Sequence, residues 1–80
     1  MTIMCLNRKF IRNVQSFDSF ISETEKQTKC SITILGLENQ DDLIWIIIKS
    51  ESVDSRRNAF YIINAVTDKP GKEVSSTLQL

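Results

Sequence analysis

The stretch FDSFISETEKQTKCSITI, residues 17–34, changes its apolar period partway along, and that change sets the fold class. Phe17, Phe20, Ile21, Thr24 and Thr28 fall at i, i+3, i+4, i+7 and i+11, the stripe of an amphipathic helix, with Ser22, Glu23, Lys26 and Lys29 outside it. From Cys30 the period drops to two. Cys30, Ile32 and Ile34 alternate with Ser31 and Thr33, the pattern of a half-buried strand that ends at Gly36. A helix over residues 17–29, packed through Phe17, Phe20 and Ile21 onto an antiparallel sheet, is therefore expected. Ser16 stands where it can cap the helix, Asp18 where the dipole favours an anion, and Glu25 and Lys29 make an i,i+4 pair.

Working outward, Leu43–Ile48 is a run of large apolar residues, short and rich in β-branching, which reads as a central strand. Side chains alternate along a strand, so Leu43, Trp45 and Ile47 must point opposite to Ile44, Ile46 and Ile48. Between this strand and the previous one lies an acidic loop with Glu38, Asp41 and Asp42. Upstream, Thr2–Leu6 reads as a first strand, and Phe10, Ile11 and Val14 fit one or two helical turns. Downstream, Val53–Asp68 carries both strand-formers and a helical face of Ala59, Ile62, Ile63 and Val66; Asp54 as a cap favours helix over strand. Pro70 and Gly71 break that element, leaving residues 70–80 as a tail or linker after a domain at 1–69.

The totals bound the function. Eighty residues leave room for one domain with a small core. Ten basic and ten acidic residues cancel, removing the overall positive field that marks nucleic-acid or membrane partners. The charge is nevertheless uneven: residues 1–17 hold Arg8, Lys9 and Arg12 and no acid, so that end can meet phosphate. No run approaches the roughly 18 apolar residues a membrane span needs, and Met1–Leu6 is no secretory leader. An intracellular protein, cytoplasmic or nuclear, is expected, with Cys5 and Cys30 as free buried thiols.

Catalytic chemistry lacks its residues. With no histidine and two distant cysteines, neither a zinc site nor a Cys-His nucleophile can be assembled. Asp41 and Asp42 are neighbours in a polar loop and point apart, which fits a solvated turn. Two glycines cannot make a P-loop or a dinucleotide fingerprint. No cofactor, metal or enzymatic activity is expected. Arg56 and Arg57, at a helix start where the dipole disfavours cations, read as a solvated end or as residues that meet a partner or a nearby acid.

The order strand, short helix, helix, strand, strand, helix, together with ISETEKQTKCSITI (21–34), LIWIII (43–48), VDSRRNAFYIINAV (53–66) and RKFIRNV (8–14), resembles the eukaryotic-type KH domain over residues 2–67. The resemblance implies an α+β fold: a three-stranded antiparallel sheet with three helices packed on one face. It also implies binding of single-stranded RNA or DNA in a groove near Arg12, Gln15, Ser16 and Ser19. The sequence departs from the family where the Gly-x-x-Gly phosphate loop belongs, placing Gln15, Ser16, Phe17 and Asp18 there. Two readings follow. One is a KH-like module binding single strands weakly, with Arg8, Lys9 and Arg12 on phosphates. The other is a degenerate module that contacts a protein partner, or itself, through Leu43, Trp45 and Ile47, without nucleic acid.

Overall fold

In a computed structural model, residues 1–36 and 42–75 are described. Four strands form one antiparallel sheet: β1 (Thr2–Asn7), β2 (Ser31–Leu35), β3 (Leu43–Lys49) and β4 (Lys72–Ser75), in the spatial order β2-β3-β1-β4. Two helices connect them, α1 (Phe17–Thr28) between β1 and β2 and α2 (Val53–Asn64) between β3 and β4. This β-α-β-β-α-β connectivity, each helical crossover skipping over a strand from the other half, is the split β-α-β, ferredoxin-like arrangement.

The expected three strands and three helices are corrected at both ends of the chain. Phe10–Val14 does not form a helix, because its backbone is taken up elsewhere. Ile11 is extended and bridges Thr67, the Arg12 N–H donates to the Val66 carbonyl, and the Asp68 N–H donates to the Phe10 carbonyl. Only two 3-10 turns remain, at Arg8–Phe10 and Val14–Ser16. The fourth strand comes from Lys72–Ser75, which the sequence reading left in a tail. Four residues are too few to show a period, and what places them is contact. A Cβ on Gly71 would meet Leu6 Cδ2 at 2.2 Å and the Cys5 carbonyl at 2.9 Å, so only glycine lets the chain pass this close to β1. The Asn64 side chain at the end of α2 accepts the Gly71 N–H at 2.7 Å and fixes the approach. The remainder of that tail, and Glu38 and Asp41 of the acidic loop, lie outside the described residues.

The core lies between the helices and one face of the sheet. Met4 and Leu6 of β1, Ile44, Ile46 and Ile48 of β3 and Ile32 of β2 meet Phe17 and Ile21 of α1 and Ala59 and Ile63 of α2. Phe20, expected to be as deep as Phe17, is only half-buried and stacks beside it, ring centroids 6.2 Å apart. Thr24 and Thr28 are buried in the same stripe, each hydroxyl donating to the carbonyl one turn back, which removes the cost of an unpaired polar group.

The ends of the helices are held differently from the sequence reading. Ser16 does not cap α1; its hydroxyl donates to the Asn13 carbonyl instead. Lys29 adopts a left-handed conformation (φ 59°) as the C-cap, so the Glu25–Lys29 pair is not made. Glu25 instead accepts the Ile32 N–H at 2.8 Å, satisfying a donor on the outer edge of β2. For α2, Ser52 rather than Asp54 is the cap, accepting the Ser55 N–H at 3.1 Å. Arg56 is not solvated, and among the described residues no acid pairs with it. It is buried, and its guanidinium donates to the Thr2 hydroxyl and the Ser50 carbonyl, tying α2 to the start of β1 and the end of β3.

Candidate contact surface on the open sheet face

Alternation along β3 puts Ile44, Ile46 and Ile48 at 0% exposure under the helices and turns Leu43, Trp45 and Ile47 to the opposite face. The antiparallel register extends this outer set across the sheet. Trp45 stands opposite Leu35 on β2 and Cys5 on β1, and Cys5 opposite Lys72 on β4. A second row runs Thr33, Ile47, Ile3. Since both helices lie on the other side, this face carries Leu35 (49% exposed), Leu43 (47%) and Trp45 (37%) without a helical cover. Lys49 closes one end of the β3 strip, and Asp42 stands just beyond the other. Cys5, expected to be buried, is half-exposed here, and Cys30 is buried; both are free thiols.

Three members of this surface were not legible in the sequence. Ile3 and Cys5 needed the β1–β3 register, and Lys72 needed a strand that had not been expected. Leu35 carried a signal that was available: it stands one residue beyond Ile34 in the alternation and so had to face outward.

The residues expected to contact nucleic acid are placed otherwise. Arg8 is half-buried, with Nη2 donating to the Gly36 carbonyl at 2.7 Å and its backbone N–H to the Asp42 carbonyl, so it holds the two ends of the β2–β3 loop. Lys9 is exposed and pairs with Asp42 at 3.4 Å. Arg12 is exposed and pairs with Asp68 at 3.0 Å, with Nη1 on the Ala65 carbonyl. Gln15, Ser16 and Ser19 are exposed on the turn before α1 and on its first turn. Arg12 and Ser16 do come together with Asn13, lining a cavity of ≈ 270 Å³, but its other walls are Ile11, Phe17, Phe20 and Val66. Where the Gly-x-x-Gly loop would sit, the backbone is a 3-10 turn and Phe17 is buried in the core. Each basic side chain at this end thus has an acidic or carbonyl partner within the chain, which lowers its value as a phosphate ligand.

A second cavity, ≈ 300 Å³, lies at the β1–β4 side of the face and is lined by Cys5, Phe10, Leu43, Lys69 and Lys72; Lys69 Nζ sits 4.7 Å from the Phe10 ring centroid. Among the described residues, no group of three or more His, Cys, Asp or Glu is placed to hold a metal, and no helix is long and apolar enough to cross a membrane. No protein-family model, curated protein or solved structure matches the chain.

Proposed function

We propose that this domain is a protein-contact module and that the open sheet face, centred on Leu43, Trp45 and Ile47, is its contact surface. The observation that carries the reading is the continuous apolar strip from Leu35 through Trp45 to Cys5, facing away from both helices. Contiguous apolar patches on a folded domain mark interaction sites, and tryptophan is enriched where such contacts are energetically important. The competing reading, single-stranded RNA at the basic end, is disfavoured by the internal pairing of Arg8, Lys9 and Arg12 and by the formal net charge of +0.

The chain has a single tryptophan, so Trp45 emission reports on this face alone. Titration with short single-stranded RNA pools, at low and moderate salt, is expected to leave that emission and the NMR shifts of Arg8, Lys9 and Arg12 unchanged. Saturable binding that weakens steeply with salt, as phosphate-driven binding must, would overturn the proposal.

A further inference from the structure

The helix side of the sheet carries a different kind of surface. Between α2 and the β1–β4 edge lies a cavity of ≈ 240 Å³, with Thr2, Arg56, Arg57 and Glu73 as its polar wall and Val53, Phe60 and Tyr61 as its apolar wall. Glu73 stands opposite Met4 in the β1–β4 register, and Met4 is in the core, so Glu73 shares the α2 side of the sheet. We propose that this cavity binds a small organic monocarboxylate, its carboxylate held by Arg56 and Arg57 and its apolar body laid against Phe60 and Tyr61.

Arg56 carries the first step. The residue is 9% exposed, and its guanidinium is fixed at two corners, Nε on the Thr2 hydroxyl at 3.1 Å and Nη1 on the Ser50 carbonyl. Nη2 shares one edge of the planar fork with Nε, the edge that meets Thr2 in the cavity wall, and it donates to no described residue. A desolvated guanidinium held in place with one corner on a cavity suits a planar acceptor, and a carboxylate matches that fork. Arg57 is exposed, lines the same cavity and makes no ion pair among the described residues. Both cations stand near the start of α2, at the positive end of its dipole, where a bound anion relieves their mutual repulsion.

Glu73 carries the second step. Among the described residues no ion pair joins it to either arginine, so two cations and one carboxylate leave the cavity with a single net positive charge. One negative charge on the ligand neutralises it. A phosphate monoester carries about −1.5 to −2 at neutral pH and sets the excess against Glu73. The volume, about eight times a water's share of the liquid, admits a small molecule.

The test is a two-dimensional amide NMR titration of the full chain, at neutral pH and constant ionic strength, with phenylacetate, uncharged phenylacetamide and phenyl phosphate as probes. Phenylacetate is expected to move the amides of Thr2, residues 56–61 and Glu73 saturably, with a dissociation constant of about 1–10 mM, the range for about ten non-hydrogen atoms. Phenylacetamide should bind at least about tenfold more weakly than phenylacetate, and phenyl phosphate about threefold more weakly. Arg57→Gln, at an exposed position, should keep the fold by circular dichroism and weaken phenylacetate about three- to tenfold. Arg56→Lys keeps the charge, loses the fork and should weaken it by a similar factor; where that variant does not fold, Arg57→Gln decides. Glu73→Gln should remove the preference for carboxylate over phosphate. Absence of saturable shifts up to about 20 mM overturns the site, as do shifts confined to Trp45 and the open face. Equal binding of phenylacetamide overturns the carboxylate, and tighter binding of phenyl phosphate overturns the monoanion. Phenylacetate affinity unchanged by Arg57→Gln overturns the arginine clamp, and an unchanged preference in Glu73→Gln overturns the selection by charge.

Discussion

The two sides of β3 are built from nearly the same chemistry and do opposite things. Ile44, Ile46 and Ile48 are sealed at 0% exposure by α1 and α2, while Leu43, Trp45 and Ile47, one residue out of step, face away from both helices. Hydrophobicity therefore does not decide which residues become core. In a strand that is apolar on both sides, the face on which the helices lie decides, and here β-α-β-β-α-β connectivity sends both helices to the same side. The consequence is an outward row in which Leu43 and Trp45 keep contact with solvent while Ile47 is half-buried between its strand neighbours.

That contrast can be broken most directly at neighbouring isoleucines. Ile46→Ala removes a fully buried side chain from between the sheet and the helices and should cost about 2–5 kcal/mol, whereas Ile47→Ala should cost under about 1 kcal/mol; urea midpoints at equal slope measure both. Equal losses would show that the outer face is covered in the monomer.

A smaller effect sharpens the same contrast at the start of α2. Arg56 is buried with donors on Thr2 and Ser50, and Arg57 beside it is exposed. Arg56→Met leaves the Ser50 carbonyl and the Thr2 hydroxyl short of a charged donor and should destabilise by about 2 kcal/mol; Arg57→Met should stay within about 0.5 kcal/mol of wild type. Thermal unfolding of the pair would reveal parity if Arg56 were no more than a surface cation.

The smallest effect is expected at the end of the outer strip. Leu43→Lys should alter stability by less than about 0.5 kcal/mol, because about half of its surface is already exposed. A loss comparable to that of Ile46→Ala would place Leu43 in a core that the fold does not give it.

Much of the framework was legible because it is local. The α1 stripe, the alternation in β2 and the apolar β3 run are read from spacing alone; the helix expected within Val53–Asp68 rested on an Asp54 cap and forms over Val53–Asn64 with Ser52 as its cap, and the alternation set Leu43, Trp45 and Ile47 opposite Ile44, Ile46 and Ile48 without deciding which set faces outward. The basic site was not legible. Arg8, Lys9 and Arg12 look available for phosphate in a sequence, since nothing in the chain order shows that Gly36, Asp42 and Asp68 are brought beside them. Arg56 misled for the same reason: its partners are Thr2, 54 positions away, and a backbone carbonyl.

What the chain determined by itself is its set of short-range periods: where it coils, where it extends, and which residues of a strand share a side. Tertiary structure decided what those periods could not. Phe10, Ile11 and Arg12 were drawn out of a helix by the backbone bonds of Phe10 with Asp68 and of Arg12 with Val66, and a four-residue segment became β4 because Gly71 could pass close against β1. Hydrogen bonds between distant strands and steric fit at a single glycine depend on which segments meet in space, and a period along the chain carries no record of that meeting.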